Sequence, residues 1–395
     1  MTPQTQTRPG SVAEVFGAFL KLGLTSFGGP VAHLGYFREE LVLRRRWLDE
    51  DAYAELVALC QFLPGPTSSQ VGFALGLGRA SWGGALAAFL AFTLPSALIL
   101  GGLALTAAAV DGPAAAGLVH GLKIVSVAIV AQAVWGMARS LCPDQDRAAI
   151  AVASVALLAV ISGPAAMLCA IGMGMALGLW RVPGAATGGR GLSFPVSRAV
   201  GLGALAVFLL LLVLLPALRS SGNMAAMIDS FYRAGSLVFG GGHVVLPLLQ
   251  AEVVATGQVS EDVFLSGYGL AQAVPGPLFT FAAWLGASMS GPPGALLALL
   301  ALFLPGFLIL IAALPGWTWL RRSAWTHSAV AGANAAVVGV LAMALYDPVF
   351  TTGITSRIDF ALALIGLVAL TMWKAPPWVV VALGALAGVG MALVA

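Results

Sequence analysis

The sequence predicts an all-helical integral membrane protein made of two inverted-topology repeats, with broken or re-entrant helices and one unpaired transmembrane helix between them. Three observations lead to this prediction: an apolar composition, a residue pattern that occurs twice at one spacing, and one extra apolar segment between the two copies. They indicate, in turn, a membrane location, a duplication and an inversion.

Composition places the chain in the membrane. Of its 395 residues, 59% are hydrophobic and 9% are charged, whereas soluble domains carry roughly 25% charged residues. Apolar segments recur along the chain at about the 20 residues needed to cross hydrocarbon, and each must be helical to satisfy its own backbone hydrogen bonds. The segments cover residues 14–36, 52–77, 82–110, 113–138, 147–162, 164–181, 198–218, 224–250, 262–289, 292–316, 327–346, 357–373 and 376–395.

Charge and cysteine usage exclude several classes of function. The formal net charge of +3 is too small to indicate nucleic-acid binding. Three scattered cysteines indicate neither a disulfide framework nor a metal site. The polar first dozen residues form a short tail rather than a cleaved signal peptide. We therefore expect no cofactor, no bound metal and no nucleic acid, with the lipid bilayer as the surroundings.

An internal repeat is the strongest signal in the sequence. The pattern F-x-[KR]-x-G-x-x-x-F-G-G occurs twice, 212 residues apart, and each copy is followed by a Q-x-x-P-G-P element at a spacing of 211. Chance similarity of Gly- and Ala-rich helices would not place these elements in register. We predict an amino-terminal repeat over 1–190, a linker with the unpaired helix over 191–222, and a carboxyl-terminal repeat over 223–395. Matching pairs include Lys21 and Arg233, Gly23 and Gly235, Glu40 and Glu252, and Gln61 and Gln272.

The unpaired segment at 198–218 inverts the second repeat, because one extra crossing places that copy upside down. Basic residues should be in excess in cytoplasmic loops. If every segment crosses fully, the loops divide these residues 10 to 6, but if the first two segments of each repeat are re-entrant, the division is 14 to 2. The count favours re-entrant segments, a cytoplasmic amino terminus and a carboxyl terminus on the periplasmic or extracellular side.

The chemistry is expected where the apolar segments are interrupted. Each repeat holds a glycine-rich break and a Pro-Gly-Pro break, which cannot continue an α-helix smoothly. The half-helix amino termini at such breaks suit an anion. Matching breaks in two halves are typical of a transporter site, although hinges or close-packing points would use the same residues. The predicted binding residues at the breaks are Gly28, Gly29, Pro64, Gly65, Pro66, Thr67, Ser68, Gly240, Gly241, Gly242, Pro275, Gly276 and Pro277.

Cations inside the apolar segments support an anion site. Lys21 and Arg233 each precede a Phe-Gly-Gly by six residues, and Lys123 lies in the middle of the fourth segment. A cation at membrane depth costs about 2.5 to 3.5 kcal/mol on insertion scales unless it faces a partner or a cavity. Snorkelling to the interface is the alternative for Lys21 and Arg233. We add all three cations to the predicted binding residues, a set that suits a compact oxyanion.

Five residues are candidates for carrying a coupling proton. His33 and His243 follow the two glycine breaks at nearly matching positions, and histidine titrates near neutral pH. The other three are the carboxylates of Glu40, Glu55 and Glu252. For each of the five, a hydrogen-bonded histidine or an interfacial carboxylate is the plainer interpretation. No HExxH, P-loop or G-x-S-x-G motif is present, which argues against an enzyme.

The segments FGGPVAHLGYFREE and FGGGHVVLPLLQAE, each followed by Q-x-x-P-G-P, resemble the chromate ion transporter family in its long two-domain form. The resemblance covers about residue 14 to the end and carries the motif residues over to Phe27, Gly28, Gly29, Pro64, Gly65 and Pro66 and their partners in the second half. It implies a chromate antiporter of the bacterial inner membrane that exports chromate, is driven by the proton gradient and confers chromate resistance.

Two features of this resemblance leave alternatives open. Sulfate is a tetrahedral dianion like chromate, so sulfate or another oxyanion is the alternative substrate, and an intramembrane enzyme is the alternative from another class.

The repeat also departs from symmetry where Pro30 stands against Gly242, which indicates unequal contributions from the two halves. The candidate assembly is a homodimer.

Overall fold

The computed structural model describes residues 10–107, 112–161, 164–184, 194–239, 241–317 and 323–394. The described chain forms α-, 3₁₀- and π-helices with no β-strand among these residues, and the predicted all-helical membrane fold is confirmed. Six of the described helices are long and apolar enough to cross a membrane: Thr67–Ala107, Pro113–Leu141, Arg198–Ser221, Leu278–Gly316, Ala324–Gly353 and Pro377–Val394.

Among its described residues, the first repeat forms seven helices, of which the second continues into a π-helical stretch at Arg38–Arg44. Ser11, Asp49 and Asp144 each cap a helix by accepting a hydrogen bond from a first-turn backbone N–H, as short polar side chains do at this position. The helices are α1 (Val12–Thr25), α2 (Gly29–Phe37), α3 (Glu50–Phe62), α4 (Thr67–Ala107), α5 (Pro113–Leu141), α6 (Gln145–Val160) and α7 (Pro164–Arg181).

The unpaired helix α8 (Arg198–Leu218) leads into the second repeat. The domain boundary predicted between residues 190 and 191 lies outside the described residues. A 3₁₀-turn precedes α10 and α12, and π-helical stretches follow α10 and α13. The helices of the second repeat are α9 (Asn223–Ser236), α10 (Val245–Leu249), α11 (Glu261–Ala273), α12 (Phe281–Ala313), α13 (Ala324–Ala344), α14 (Arg357–Thr371) and α15 (Pro377–Val394).

The first helices of the first repeat form two hairpins that enter and leave on the same face. The backbone N–H of Gly10 donates to the carbonyl of Arg79 (3.0 Å). The indole of Trp47 and the guanidinium of Arg79 both donate to the carboxylate of Glu14 (3.0 and 3.1 Å). The start of α1, the end of the first hairpin and the end of the second hairpin therefore meet, and we call this side the amino-terminal face. The two breaks are the hairpin tips, as the re-entrant topology predicts.

Helix α4 reverses direction within its own length. Ala80 and Ser81 leave the helical conformation, and Ser81 has a φ of 52°. A methyl group on Gly76 would overlap the carbonyl oxygen of Gly84 because the two limbs touch there. After the reversal, residues 82–107 form a limb long enough to cross about 30 Å of hydrocarbon. This limb carries the chain to the opposite face.

The second repeat has the same construction with its hairpin ends on the opposite face. Arg219, just beyond α8, pairs with Asp229 of α9 at 3.3 Å. The indole of Trp284 donates to the carbonyl of Val263 at 2.9 Å, which joins the open ends of the second hairpin. Helix α12 then reverses at Gly291, with a φ of 64°. The two repeats thus approach the centre of the molecule from opposite faces.

The hairpin tips of the two repeats are hydrogen-bonded to each other. The N–H of Gly65 donates to the carbonyl of Val238 at 2.7 Å, and the N–H of Gly276 donates to the carbonyl of Ser26 at 2.9 Å. Each bond joins a Pro-Gly-Pro break to the glycine-rich break of the other repeat. Gly65 and Gly276 have φ values of 126° and 109°, a region that favours glycine. These bonds satisfy backbone groups that a helix would otherwise pair internally.

The remaining helices form a scaffold in which helices of each repeat pack against helices of the other. Helix α5 packs with α14 and α15 of the second repeat, whereas α13 packs with α6 and α7 of the first. A methyl group on Gly117 would lie 2.6 Å from the carbonyl oxygen of Gly388, and one on Gly174 would lie 2.6 Å from that of Gly332. Small residues allow this close approach of membrane helices. Each three-helix group is therefore completed by the other repeat.

Replacing Gly65 by Ala tests the interlocked tips. A Cβ there would lie 2.8 Å from the Cα of Gly306 and would hold alanine in the left-handed region, which costs about 1 to 3 kcal/mol. We expect Gly65→Ala to lower the melting temperature of the detergent-solubilised protein, followed by tryptophan fluorescence. The control is Gly17→Ala in α1, where a Cβ would meet no atom within 4 Å. Equal melting temperatures for the two variants would contradict this account.

Candidate functional site

A cavity of about 210 Å³ reaches the glycine break of the first repeat. Its walls come from both repeats, because the break, α5 and the 243–272 region of the second repeat all contribute. The polar side chains in the wall are two amides, one imidazole and one ammonium group, and no carboxylate lines it. The lining residues are Gly28, Ile129, Gln132, His243, Gln272, Leu370, Lys374, Ala375 and Pro377.

The amino terminus of α2 lies at this cavity. Gly28 is the residue before the helix and has a φ of 94°, and no side chain caps the helix start. A helix amino terminus has N–H groups without an intrahelical partner and a partial positive charge. Since Gly28 is also a lining residue, the uncapped start of α2 and the cavity lie together, and anion binding at this break stays a prediction.

His243 extends from the second repeat to the break of the first. A Cβ on Gly29 would lie 3.6 Å from Nε2 of His243, while Nδ1 of His243 is 2.8 Å from the hydroxyl oxygen of Tyr268. His33, its counterpart, is fully buried, with Nδ1 3.3 Å from Oγ of Ser68. Both predicted proton-carrying histidines therefore lie beside a break, and His243 alone lines the cavity.

The hydroxyl groups that follow the Pro-Gly-Pro breaks are buried. Thr67 and Ser68 are 6% and 3% exposed, and neither lines the cavity at Gly28. In the second repeat, the hydroxyl of Thr280 donates to the carbonyl of Pro277 at 2.7 Å. In the described structure, the Thr280 hydroxyl is thus hydrogen-bonded to a backbone carbonyl at the break.

The asymmetric position of the repeat lies between the two glycine breaks. A Cβ on Gly242 would lie 3.1 Å from Cγ of Pro30, so the proline ring of one repeat faces the glycine of the other. Gly241 has a φ of 138°. Gly240, predicted to bind the anion, lies outside the described residues.

A second cavity, of about 260 Å³, lies between α3 and α13. It is lined by Gln61, the partner of Gln272 in the repeat, and by Arg147 and Asn334. Arg147 also donates to Asp144 through its backbone N–H and its side chain (2.9 and 2.7 Å). These two hydrogen bonds, the backbone bond first, lower the pKa of the Asp144 carboxyl.

Lys21 is ion-paired inside its own hairpin. Its ammonium group donates to the carboxylate of Glu40 at 2.7 Å, and Arg44 and Arg45 donate to the same carboxylate at 2.8 and 2.9 Å. The Glu40 side chain is 8% exposed and that of Lys21 is 48% exposed. One buried carboxylate therefore has three cationic partners, and Lys21 lines neither described cavity.

Arg233 makes the equivalent pair in the second repeat. It contacts the carboxylates of Glu252 (2.8 Å) and Asp229 (2.9 Å). Arg219 lies 3.3 Å from Asp229 and 3.8 Å from Glu252. Asp229 has a fully buried side chain. Here two buried carboxylates share two arginines. Removing one arginine therefore leaves fewer cationic partners per carboxylate than removing one of the three cations around Glu40.

The other predicted residues also have protein partners. Lys123 donates to Asp262 of the second repeat at 2.8 Å, and its neighbour His120 lies 3.0 Å from Asp359. The carboxylate of Glu55 accepts a hydrogen bond from the indole of Trp317 at 3.1 Å. Lys123 and Glu55 therefore take part in contacts between helices and do not line the cavity at Gly28.

Sequence reasoning missed three polar residues of this cavity. Gln272 carried a signal, because glutamine opens both Q-x-x-P-G-P elements. Gln132 of α5 and Lys374, in the loop before α15, carry no repeated pattern, since their positions in the other repeat hold different residue types. Only the packing of α5 and α15 around the breaks brings them to the cavity.

Comparisons with known proteins identify relatives for the whole chain. A family model described as chromate transporter matches residues 13–179 and 225–389. A probable chromate transport protein of Synechococcus elongatus is 28% identical over 96% of this chain and 95% of its own length. Chromate transport proteins of Pseudomonas aeruginosa and Cupriavidus metallidurans are 26% and 27% identical over 88% and 90% of this chain, and 83% and 86% of their own lengths. No solved structure matches the chain.

We predict that removing a cation from each of the two ion-paired hairpins lowers the melting temperature by different amounts. Arg233→Ala leaves two buried carboxylates with Arg219 alone, and breaking a buried ion pair costs about 3 to 5 kcal/mol. Lys21→Ala leaves Glu40 with two arginines, and an exposed partner contributes about 0 to 1 kcal/mol. We expect a clear drop in melting temperature for Arg233→Ala and a small one for Lys21→Ala. Arg233→Lys serves as the control that keeps the charge, and equal drops for the two alanine variants would refute the assignment.

Proposed function

The chain belongs to the chromate transporter family, and from that premise we propose that it is a secondary active transporter that exports chromate from the cytoplasm by alternating access. The observation that carries the proposal is the carboxylate-free cavity at Gly28, where the uncapped start of α2 meets His243, Gln272 and Lys374. Such a set of donors binds an anion without any bound metal.

A tetrahedral oxyanion fits the chemistry of this cavity. Backbone N–H groups at the start of α2 and the amides of Gln132 and Gln272 can each donate to one oxygen, and Lys374 supplies a full positive charge. Because chromate and sulfate share charge and shape, these groups do not by themselves select chromate. Chromate is favoured because it is the substrate named for the relatives, and sulfate is the competing candidate.

The position of the cavity favours export. Helix α5 begins on the opposite face, and Gly117 near its start packs against Gly388 near the end of α15. The two helices are therefore antiparallel, so the start of α15, with Lys374 just before it, lies closer to the amino-terminal face than the end of α15 does. Of the 16 basic residues in loops, 14 are assigned to that side, so the positive-inside rule makes it cytoplasmic. We propose that the cavity opens toward that side and loads its anion from the cytoplasm.

His243 is the proposed carrier of the coupling proton, with His33 as the second candidate. His243 lines the cavity, so its imidazole can hold a proton in the conformation in which the anion site is empty. Glu40 and Glu252 are held by their cations, and Glu55 is bonded to Trp317, which makes these carboxylates less suited to the role. Proton binding on the periplasmic side and release in the cytoplasm would then drive an antiporter.

Lys21 and Arg233 are assigned a supporting role. Direct contact of these cations with the anion was predicted, but both are paired with a glutamate of their own hairpin. Each pair joins the two limbs of a hairpin whose tip is a glycine break. We assign Lys21 and Arg233 the task of holding the tips in place, so that the start of α2 stays open to the cavity.

Chromate uptake by inverted membrane vesicles tests the site. With an imposed proton gradient, we expect Lys374→Ala and Gln272→Ala to weaken chromate binding by about 10- to 100-fold in KM, since a hydrogen bond to a charged group contributes about 1.5 to 3 kcal/mol. Gln145→Ala, at an exposed position of α6, is the matched control. Competition by sulfate distinguishes the two oxyanions. No gradient-dependent uptake by the wild type, or turnover of a substrate in detergent without any gradient, would overturn the proposal.

The proton role of His243 has its own test. His243→Gln keeps a polar side chain that cannot take up a proton, so we expect gradient-driven chromate uptake to be lost while chromate exchange without a gradient persists. The control is His120→Gln, which changes a histidine that is paired with Asp359 and does not line the cavity. Uptake by His243→Gln that still responds to the gradient would assign the proton elsewhere.

A further inference from the structure

Most contacts of one repeat have a counterpart in the other. The packing of α5 on α15 corresponds to that of α13 on α7, and each repeat contributes one hydrogen bond between the hairpin tips. The contact between α5 and α11 is different. Its counterpart would be a contact between α13 and α3, and there the second cavity separates the two helices. This asymmetry sets the two faces of the protein apart.

On the opposite face, α5 and α11 are closed against each other. Lys123 donates to Asp262 at 2.8 Å, and the hydroxyl of Ser126 donates to the carbonyl of Leu265 at 3.1 Å. A Cβ on Gly269 would lie 3.0 Å from the carbonyl oxygen of Leu122, so the helix backbones touch. The helices are in contact over more than one turn.

On the amino-terminal face, the equivalent positions surround empty space. Asn334 and Ala58, which lie 211 residues from Lys123 and Gly269 in the repeat, both line the second cavity. The buried Oδ1 of Asn334 has no hydrogen-bond partner among the described residues. Asp51, the equivalent of Asp262, stands at the start of α3 on the same face. The groups needed for a second closure are present, and they are apart.

We propose that these two contacts are the gates of the transporter, closed in turn: α5 against α11 on the opposite face, and α13 against α3 on the amino-terminal face. Two repeats with one fold and opposite orientation can exchange their local arrangements at little cost, because each arrangement already exists in the other repeat. The described structure has the opposite gate closed and the amino-terminal gate open. The proposal rests on the proposed transport function and names the residues that perform its alternation.

The charges at the closed gate suit a contact that opens. The Asp262 side chain is 66% exposed, whereas that of Lys123 is 15% exposed. Water can therefore solvate the carboxylate as soon as the pair separates, unlike the buried carboxylates around Arg233. Lys123 was predicted to bind the anion, and the structure assigns it instead to the gate.

Cysteine cross-linking in membrane vesicles tests the gates. In a background without Cys60, Cys142 and Cys169, the variant pair Lys123→Cys and Asp262→Cys should be joined in the resting protein by a bifunctional methanethiosulfonate, which forms a reducible disulfide with each cysteine. We expect the cross-link to stop chromate uptake and reduction to restore it. The pair Asp51→Cys and Asn334→Cys should cross-link slowly at rest and at least several-fold faster during transport. Uptake that persists in the cross-linked Lys123 and Asp262 pair would overturn the proposal.

A scaffold pair provides the matched control. Cβ positions at Ala128 of α5 and Gly366 of α14 lie 3.2 Å apart. The contact between α5 and α14 does not change in the proposed alternation, so Ala128→Cys with Gly366→Cys should cross-link without loss of uptake. The cross-links are read from gel mobility, so those of the Lys123 and Asp262 pair and of the scaffold pair in the resting protein are measured without transport, and the Asp51 and Asn334 rate is compared only in protein that takes up chromate. Failure of chromate uptake in the uncross-linked protein would therefore count against the proposed substrate, whereas an unchanged rate for Asp51 and Asn334 would count against the gates.

A charge variant gives a second measurement that does not depend on cross-linking the closed gate. Asp262→Asn removes the partner of Lys123 with little change in side-chain volume. If the ion pair helps to hold the opposite gate closed, this change should speed cross-linking of Asp51→Cys with Asn334→Cys by several-fold at rest. A rate unchanged from the parent pair would show that Lys123 and Asp262 do not bias the alternation.

Discussion

The requirement that backbone groups inside a membrane be hydrogen-bonded governs this structure. Each hairpin tip interrupts a helix near the centre of the molecule, and the Gly65 to Val238 and Gly276 to Ser26 bonds satisfy part of the backbone that leaves the helix. Because each bond crosses between repeats, neither tip is complete without the other copy. The position of α2, and with it the anion cavity, follows from this mutual support.

The sequence was sufficient to predict the parts of the fold that depend on local chemistry. Glycine and proline interrupt a helix through their own backbone chemistry, so they predict the breaks. One unpaired crossing between two repeats is enough to predict that the second repeat is inverted. The basic residues Arg44 and Arg45 predicted the return of the first hairpin because charge is sorted by membrane face. None of these conclusions needs knowledge of which helices touch.

Contacts between distant segments could not be predicted in the same way. Lys21 and Glu40 are both visible as repeated residues, but their pairing depends on how far a hairpin limb returns, and the π-helical stretch at Arg38–Arg44 sets that distance. Lys374 reaches the cavity only because α15 packs on α5. A charged residue in an apolar segment therefore signals a partner or a cavity, and packing decides which one it has.

The exchange of helices in the scaffold has a consequence for how the chain is made. Helix α5 is synthesised long before α15. The glycine surface around Gly117 therefore contacts lipid or another protein segment until α15 is inserted. The same holds in reverse for α13, which finds α7 already inserted. A chain that stops before α15 would therefore leave the glycine surface of α5 without its partner.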